Sequence, residues 1–378
     1  MSCNDAAYNY ANDPLLVPCN TPRVEHILAT VTDKNEQIDA ICAARGCIDI
    51  DSALRHVLDA YLSGTASLND TIDLLATPIE EAYSSADQGY LLWDAEATAR
   101  HMRPLCATAD ESLRFWGEPV SMCEPDPERR PLSSLESRLW VLWFGVIYTS
   151  RKLDWTSEDN RITALVALLQ ALQLRPDPPA PANATPAFFN HCVVHATGAL
   201  WSKLCLLGPS AAEMQSEAPG GKMGFTDVEG WAWENENALF AMLTAAGTVD
   251  FMGYGVGAMR DALEGGIVRR NQVRMTREFK ARWTDITLGV VFTWLVCAGE
   301  EMYAHGRCRE EMGEVEVVME DGVSMEWKDE STVARWEFWK MRLGKSSCDD
   351  VRSEKARSCA TRALKRMQDI EARFALQQ

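Results

Sequence analysis

The chain of 378 residues has no surplus of positive charge, no C-x-x-C pair and only six histidines. Each shortage removes a class of function. Lys and Arg total 37 against 55 Asp and Glu, a net of −18, and residues 1–128 alone carry −15 of it. Phosphate backbones and anionic lipid surfaces demand compact basic patches, so neither nucleic acid nor a membrane is an expected partner. The longest uncharged apolar run, Ile286–Gly299, is closed by Asp285 and Glu300. A bilayer needs about 20 apolar residues, so this run is expected to be a buried core helix. Twelve cysteines are scattered, several of them (Cys42, Cys205, Cys297) in apolar helical stretches, which does not suit a disulfide scaffold. Met1–Asp13 shows neither a basic n-region nor an apolar h-region, so reduced thiols in a cytoplasmic protein are expected. The Asn69-Asp-Thr and Asn183-Ala-Thr sequons are then chance matches.

Catalytic signatures are equally scarce. There is no P-loop, no G-x-S-x-G elbow and no H-E-x-x-H. Gly253-x-Gly255-x-Gly257 follows no strand and is discounted as a nucleotide loop. Asn69-Asp70-Thr71-Ile72-Asp73 is the nearest approach to an aspartate-rich magnesium motif, and a second such motif is missing. No metal and no cofactor is therefore expected.

What is present is helical periodicity. Ser52–Leu62 places Leu54, Val57, Leu58, Tyr61 and Leu62 on one face, and Gly64 stops it. Ser67 caps the next helix, which runs to about Ala86, and Tyr90–His101 predicts another before Pro104. The proline-rich stretch 117–131 reads as a boundary. Ser133 or Ser134 opens a helix striped with Leu139, Trp140, Leu142, Trp143, Val146 and Ile147, and Ile162–Leu174 is a second. Phe188–Leu207 is predicted helical, with Gly208-Pro209 as its stop and the polar stretch 208–224 as a loop, its glycines near Gly220 a candidate lid. Helices over Trp231–Ala246, Phe251–Leu263, Met275–His305, Val333–Leu343 and Asp350–Leu376 complete the chain. Glu314–Trp327 is the one hairpin-like patch, with Asp321-Gly322 as its turn. No fixed-period repeat is visible. The fold expected is all-α: a single large assembly of about a dozen helices, in two lobes meeting near 117–132, with at most one short β-hairpin. Along the chain this divides into an acidic N-terminal helical region (1–130), a tryptophan-rich core (131–345) and a C-terminal helix (346–378).

An ordered series runs through the core region. It comprises Leu139-Trp140-x-Leu142-Trp143, Leu168-x-x-Leu-x-x-Leu-x-Arg175-Pro176-Asp177 and Leu200-Trp201-Ser202, then Trp231, Asn235, Asn237 and Ala238, then Asp250-Phe251, Ala258-x-Arg260-x-Ala262-Leu263-Glu264 and Arg335-Trp336-x-x-Trp339. The series resembles a fungal family of helical proteins defined only as a domain of unknown function, over roughly Ser133 to Leu343. More weakly, the chain is similar to the fungal hetero-Diels–Alderases that join tropolone quinone methides to humulene-type sesquiterpenes. The first resemblance implies fungal origin and a soluble all-α fold. The second implies a cofactor-independent pericyclase or dehydratase-type lyase of specialised metabolism, and it transfers no catalytic residue.

The candidate site rests on tryptophan and on polar groups stranded in apolar helices. Thirteen tryptophans and fifteen methionines suit a pocket for a polycyclic apolar ligand, or else ordinary core packing. Arg260 and Asn237 each interrupt an apolar helix and must find partners if buried. Arg260 is the expected principal donor to a substrate oxygen, Asn237 a second donor, and Glu300 the candidate base. Trp201 and Trp294 are the expected stacking walls, with Tyr254 and Tyr303 as lesser members. His191 and His195 share a helical face, without a neighbouring carboxylate to make them a metal site. The expected partner is a small apolar molecule, and the expected assembly a homodimer. Two other readings stay open: a non-catalytic helical binding or scaffold protein, and an atypical magnesium-dependent terpene cyclase.

Overall fold

The computed structural model describes residues 22–45, 52–85, 135–159, 161–181, 199–219, 226–264, 277–311, 317–320, 324–327, 333–350 and 352–376. Among these residues the fold is all-α with one hairpin. In chain order the helices are α1 (Pro22–Thr30), α2 (Lys34–Arg45), α3 (Ser52–Leu62), α4 (Leu68–Ser85), α5 (Leu135–Arg151), α6 (Arg161–Leu174) and α7 (Leu207–Gln215). They continue with α8 (Asp227–Ala245), α9 (Met252–Met259), a single π turn (Arg260–Glu264), α10 (Arg277–Glu311), α11 (Val333–Ser347) and α12 (Glu354–Leu376). Strands β1 (Val317–Glu320) and β2 (Ser324–Trp327) pair antiparallel, Val317 opposite Trp327. The expected turn at Asp321-Gly322, the helix at 90–101 and His191 and His195 lie outside the described residues.

Contacts divide the chain into two compact units, each assembled from separated stretches of sequence. The first comprises residues 1–49, 146–167 and 213–378, and the second residues 50–145 and 168–212. Both boundaries near residues 145 and 167 fall inside helices, α5 and α6, so composition along the chain gives no sign of them.

Local signals account for the helix ends. Ser67 Oγ accepts the Asp70 N–H at 3.2 Å, and its hydroxyl donates back to the Asp70 carboxylate at 2.7 Å. Asp73 is paired with Arg175 at 2.8 Å, so both aspartates of the 69–73 string serve a cap and an ion pair. Gly64, at φ +74°, ends α3 in the left-handed conformation that glycine adopts without strain. Thr226 and Glu229 form a capping box at the start of α8.

The stop expected at Gly208-Pro209 is overturned. Helix α7 begins at Leu207, and Pro209 sits in its first turn, where a missing N–H costs no hydrogen bond. The preceding residues 201–206 form turns, with Leu204 and Leu206 at φ 44° and 67°. Bulky residues rarely adopt that region, and both side chains are buried.

In the first unit α10 is the central element, packing against α8 and α12 with α9 also against it, and α11 lies on α12. By length and composition Arg282–Gly306 could cross a membrane, yet 72% of its apolar window is buried in the fold. Ile286, Leu288, Val290, Val291, Trp294 and Leu295 make it a core helix. The π turn is anchored from α11. The Glu264 carboxylate accepts Arg335 Nε at 2.7 Å, Arg335 Nη2 at 2.8 Å and Trp339 Nε1 at 2.7 Å. In the second unit Glu80 accepts Arg175 Nε at 2.6 Å and Trp201 Nε1 at 2.9 Å, and Asp177 accepts the Trp201 and Ser202 N–H groups.

Removing one member of a buried, hydrogen-bonded ion pair costs about 3 kcal/mol or more, roughly 5–10 °C in Tm for a domain of this size. Glu264→Ala is therefore expected to lower the Tm by that amount, measured by circular dichroism. An unchanged Tm would show that the π turn does not depend on this anchor.

Candidate ligand pocket

Helix α8 carries consecutive polar residues through the core of the first unit. Asn235, Glu236 and Asn237 are all buried. Asn235 Nδ2 donates to the Arg151 carbonyl at 3.1 Å, and its Oδ1 accepts the Trp155 N–H at 3.2 Å. Asn237 Nδ2 donates to the Trp233 carbonyl at 2.9 Å, and its Oδ1 accepts Trp294 Nε1 at 3.0 Å. A primary amide has two donors and two lone pairs, so each of these side chains retains hydrogen-bonding capacity.

Glu236 belongs to a buried cluster. Arg151 Nε donates to it at 2.5 Å, and Arg151 Nη1 donates to Glu217 at 2.9 Å. All three side chains are at most 4% exposed. Gln215 Nε2 reaches the other Glu236 oxygen at 3.4 Å. Burial pushes the Glu236 carboxyl up from 4.5 to about 7, against the pull of the Arg151 guanidinium. One guanidinium facing two carboxylates leaves a surplus negative charge when both are ionised, and a low-dielectric interior penalises that state.

On the other side of Gln215 and Asn237 the same unit opens into a recess of about 230 Å³. Its walls include Trp233, Tyr254, Trp283 and Val290, and its polar lining includes Gln215, Asn237, Asp261 and Thr287. Helix α9 forms one side through Gly253, Gly257 and Ala258. The glycines divide the work. A Cβ on Gly255 would stand 2.6 Å from the Trp294 ring, so this position lets α9 approach α10. A Cβ on Gly253 or Gly257 would meet nothing within 4 Å. Burial, and then the charge of Glu236, raise the Tyr254 hydroxyl pKa, which places the phenol within the field of the buried cluster.

The seven residues expected at the site separate. Asn237, Tyr254 and Trp294 come together here: Asn237 and Tyr254 line the recess, and Trp294 braces Asn237 from behind. Arg260, expected to be buried or to face a cavity, is exposed and absent from the lining. It stands at the C-cap of α9, its backbone still α-helical and its N–H reaching the Val256 carbonyl, and its side chain faces solvent. Glu300 lies beyond a kink at Ala298 (φ −139°, ψ 21°) and pairs with Arg366 and Arg373 of α12. Tyr303 packs against Trp336 and Phe374 at 5.0 Å. Trp201 belongs to the second unit, where it is wholly buried. Trp233, Trp283, Gly257 and Asp261 are lining residues that the periodicity argument does not select.

The second unit has its own groove, larger at about 370 Å³ and lined by aliphatic residues of α3, α4 and α5 with Ser137 and Arg138. Leu74 and Val141 at its rim are 59% and 44% exposed. α4 and α5 both lead directly into residues 86–134, outside the described part. The smaller recess is preferred because aromatic walls, converging amides and a buried titratable cluster meet there, the combination typical of ligand sites.

These features define an all-α protein with an aromatic, amide-lined recess. The family model described as protein of unknown function (DUF3632) matches residues 143–343, and the chain belongs to that family. No curated protein and no solved structure matches the chain.

Between about pH 4.5 and 7 the folded state keeps on Glu236 a proton that the unfolded chain has released. The stability contributed by this group therefore falls as pH rises through that window and levels off above it. Glu236→Gln cannot titrate and keeps the Arg151–Glu217 pair. Its Tm relative to the parent protein is expected to rise from pH 5 to pH 8. A difference independent of pH would contradict the placement of this proton.

Proposed function

We propose that the protein binds one small, flat, largely apolar molecule carrying a hydrogen-bonding group, in the recess between α8, α9 and α10. The observation that supports this most is the meeting of Trp233, Tyr254 and Trp283 with the spare hydrogen-bonding capacity of Asn237 at one concave surface. Aromatic walls supply dispersion and apolar burial, and a fixed amide orients a carbonyl or hydroxyl. Cytoplasmic location and fungal origin belong to the same proposal, supported by the scattered free cysteines and by the family resemblance respectively.

The narrower reading as a hetero-Diels–Alderase needs two reactants held in near-attack contact. A cavity of about 150 Å³ takes one benzene ring, so the recess at about 230 Å³ is space for a single compact ring system. Its size favours one ligand held and oriented over two substrates joined. If chemistry accompanies binding, the groups positioned for it are Tyr254 and Asn237, and neither needs a cofactor.

Gly257 gives a clean test. It faces the recess inside a helix and a Cβ there meets nothing, so Gly257→Leu fills the site without strain and improves helix propensity by up to about 1 kcal/mol. With 2-naphthalenemethanol as probe, followed by quenching of tryptophan fluorescence, the parent protein is expected to bind saturably. Gly257→Leu is expected to weaken binding at least tenfold at an unchanged or higher Tm. Equal binding by both proteins would place the probe elsewhere and overturn the proposal.

A further inference from the structure

We infer that Gln215 decides which ligands the recess accepts: it offers its carbonyl to a hydrogen-bond donor while the Glu236 carboxyl is ionised, and its amino group to an acceptor once that carboxyl is protonated. This deepens the reading of the recess as a ligand site and rests on it.

Gln215 stands between two environments. As the last residue of α7 it lines the recess, and its Nε2 donates to Glu236 Oε1 at 3.4 Å in the buried cluster. With the amino end of the amide turned toward the carboxylate, the carbonyl Oε1 is the end left for a ligand. The contrast with Asn237 is chemical. Asn237 Oδ1 accepts from Trp294 Nε1, and an indole N–H can only donate, so that amide has one orientation. The partner of Gln215 is a carboxyl, which accepts when ionised and can donate when protonated.

The geometry of the cluster decides where a proton goes. Glu236 Oε2 accepts Arg151 Nε at 2.5 Å, and a guanidinium nitrogen can only donate. A proton on this carboxyl therefore sits on Oε1, the oxygen that faces Gln215. There it meets the Gln215 amino group, donor against donor. Rotating the terminal torsion of Gln215 by half a turn removes the conflict. Glu236 then donates to Gln215 Oε1, and the amino group turns to the recess. Such a torsion is broad and roughly two-fold, and the bond given up is long, so the reversal costs little.

The proton comes and goes near neutral pH. Among the described residues, the titratable and charged groups facing Glu236 are Arg151 from α5, Glu217 just beyond α7 and Tyr254 from α9. Burial, opposed by Arg151 and reinforced by Glu217, brings the Glu236 carboxyl to about 7. Below that value Gln215 presents a donor to the recess, and above it an acceptor. By linkage, a ligand that accepts from Gln215 tightens the hold of Glu236 on its proton.

The test uses the full chain and three bicyclic probes, none of which titrates between pH 6 and 8. 1-Indanone only accepts hydrogen bonds, indole only donates them, and 2-naphthalenemethanol does both. By equilibrium dialysis, 1-indanone is expected to bind about fivefold more tightly at pH 6 than at pH 8, the effect of one hydrogen bond made or mismatched. Indole is expected to do the reverse, and the alcohol to bind equally at both. Glu236→Gln supplies a permanent stand-in for the protonated carboxyl, with its carbonyl on Arg151 and its amino group on Gln215. It is expected to hold 1-indanone tightly and indole weakly at both pH values. Gln215→Met is expected to give each probe a single affinity across the range. Binding of the alcohol without the opposite shifts of indole and 1-indanone overturns the role of Gln215 and leaves the ligand pocket standing. A parallel shift of all three probes overturns it as well. Failure of all three to bind removes both that role and the pocket beneath it.

Discussion

The first unit depends on one awkward stretch of chain: Asn235, Glu236 and Asn237, consecutive and buried in the middle of α8. Consecutive residues on a helix point about 100° apart, so they cannot share one partner. Asn235 is satisfied by the end of α5 and the turn after it, Glu236 by Arg151 of α5 and Gln215 of α7, and Asn237 by Trp294 of α10. An unsatisfied buried polar group costs roughly 1–3 kcal/mol, so the triplet fixes where these helices must lie around α8. The recess is what remains where Asn237 and Gln215 finish one side and the glycine face of α9 cannot fill the other.

Many of the residues that carry the family resemblance turn out to be scaffold, although Asn237 and Ala258 also line the recess. Glu264, in the A-x-R-x-A-L-E stretch, is held by Arg335 and Trp339 of R-W-x-x-W. Asp177, in the stretch ending R-P-D, caps Trp201 and Ser202 of L-W-S, and Trp143 of L-W-x-L-W donates to the Cys205 carbonyl at 2.6 Å. Segments far apart in sequence are thus joined by specific hydrogen bonds. That explains why the series reports membership of a family and a fold while saying little about chemistry.

Legibility tracks the range of the forces involved. Helices α3 and α4, their caps and the buried course of α10 can be read because periodicity, Ser67, Gly64 and the flanking charges act locally. The all-α class and the single hairpin come from the same signals. Helix α7 is hidden because Gly208-Pro209 reads equally well as a stop and as a first turn. At the site, Asn237, Tyr254 and Trp294 emerge from asking which polar and aromatic groups need partners. Arg260 is misplaced by the same question because a charged side chain at an exposed position of an apolar helix finds its partner in water. The Arg151–Glu217–Glu236 cluster spans distant segments and has no local signature. Gly253-x-Gly255-x-Gly257 is a usable signal of another kind. Unsuited to a nucleotide loop, it is on a helix a small face directed alternately at a packed tryptophan and at open space.

Thirteen tryptophans make the central claim directly observable. With 5-fluorotryptophan incorporated and resonances assigned by single Trp→Phe replacements, addition of 2-naphthalenemethanol is expected to shift Trp233 and Trp283 strongly and Trp294 less. Trp143 and Trp201 of the second unit should remain in place. Shifts confined to tryptophans outside the recess, with Trp233 and Trp283 unmoved at saturation, would contradict the account.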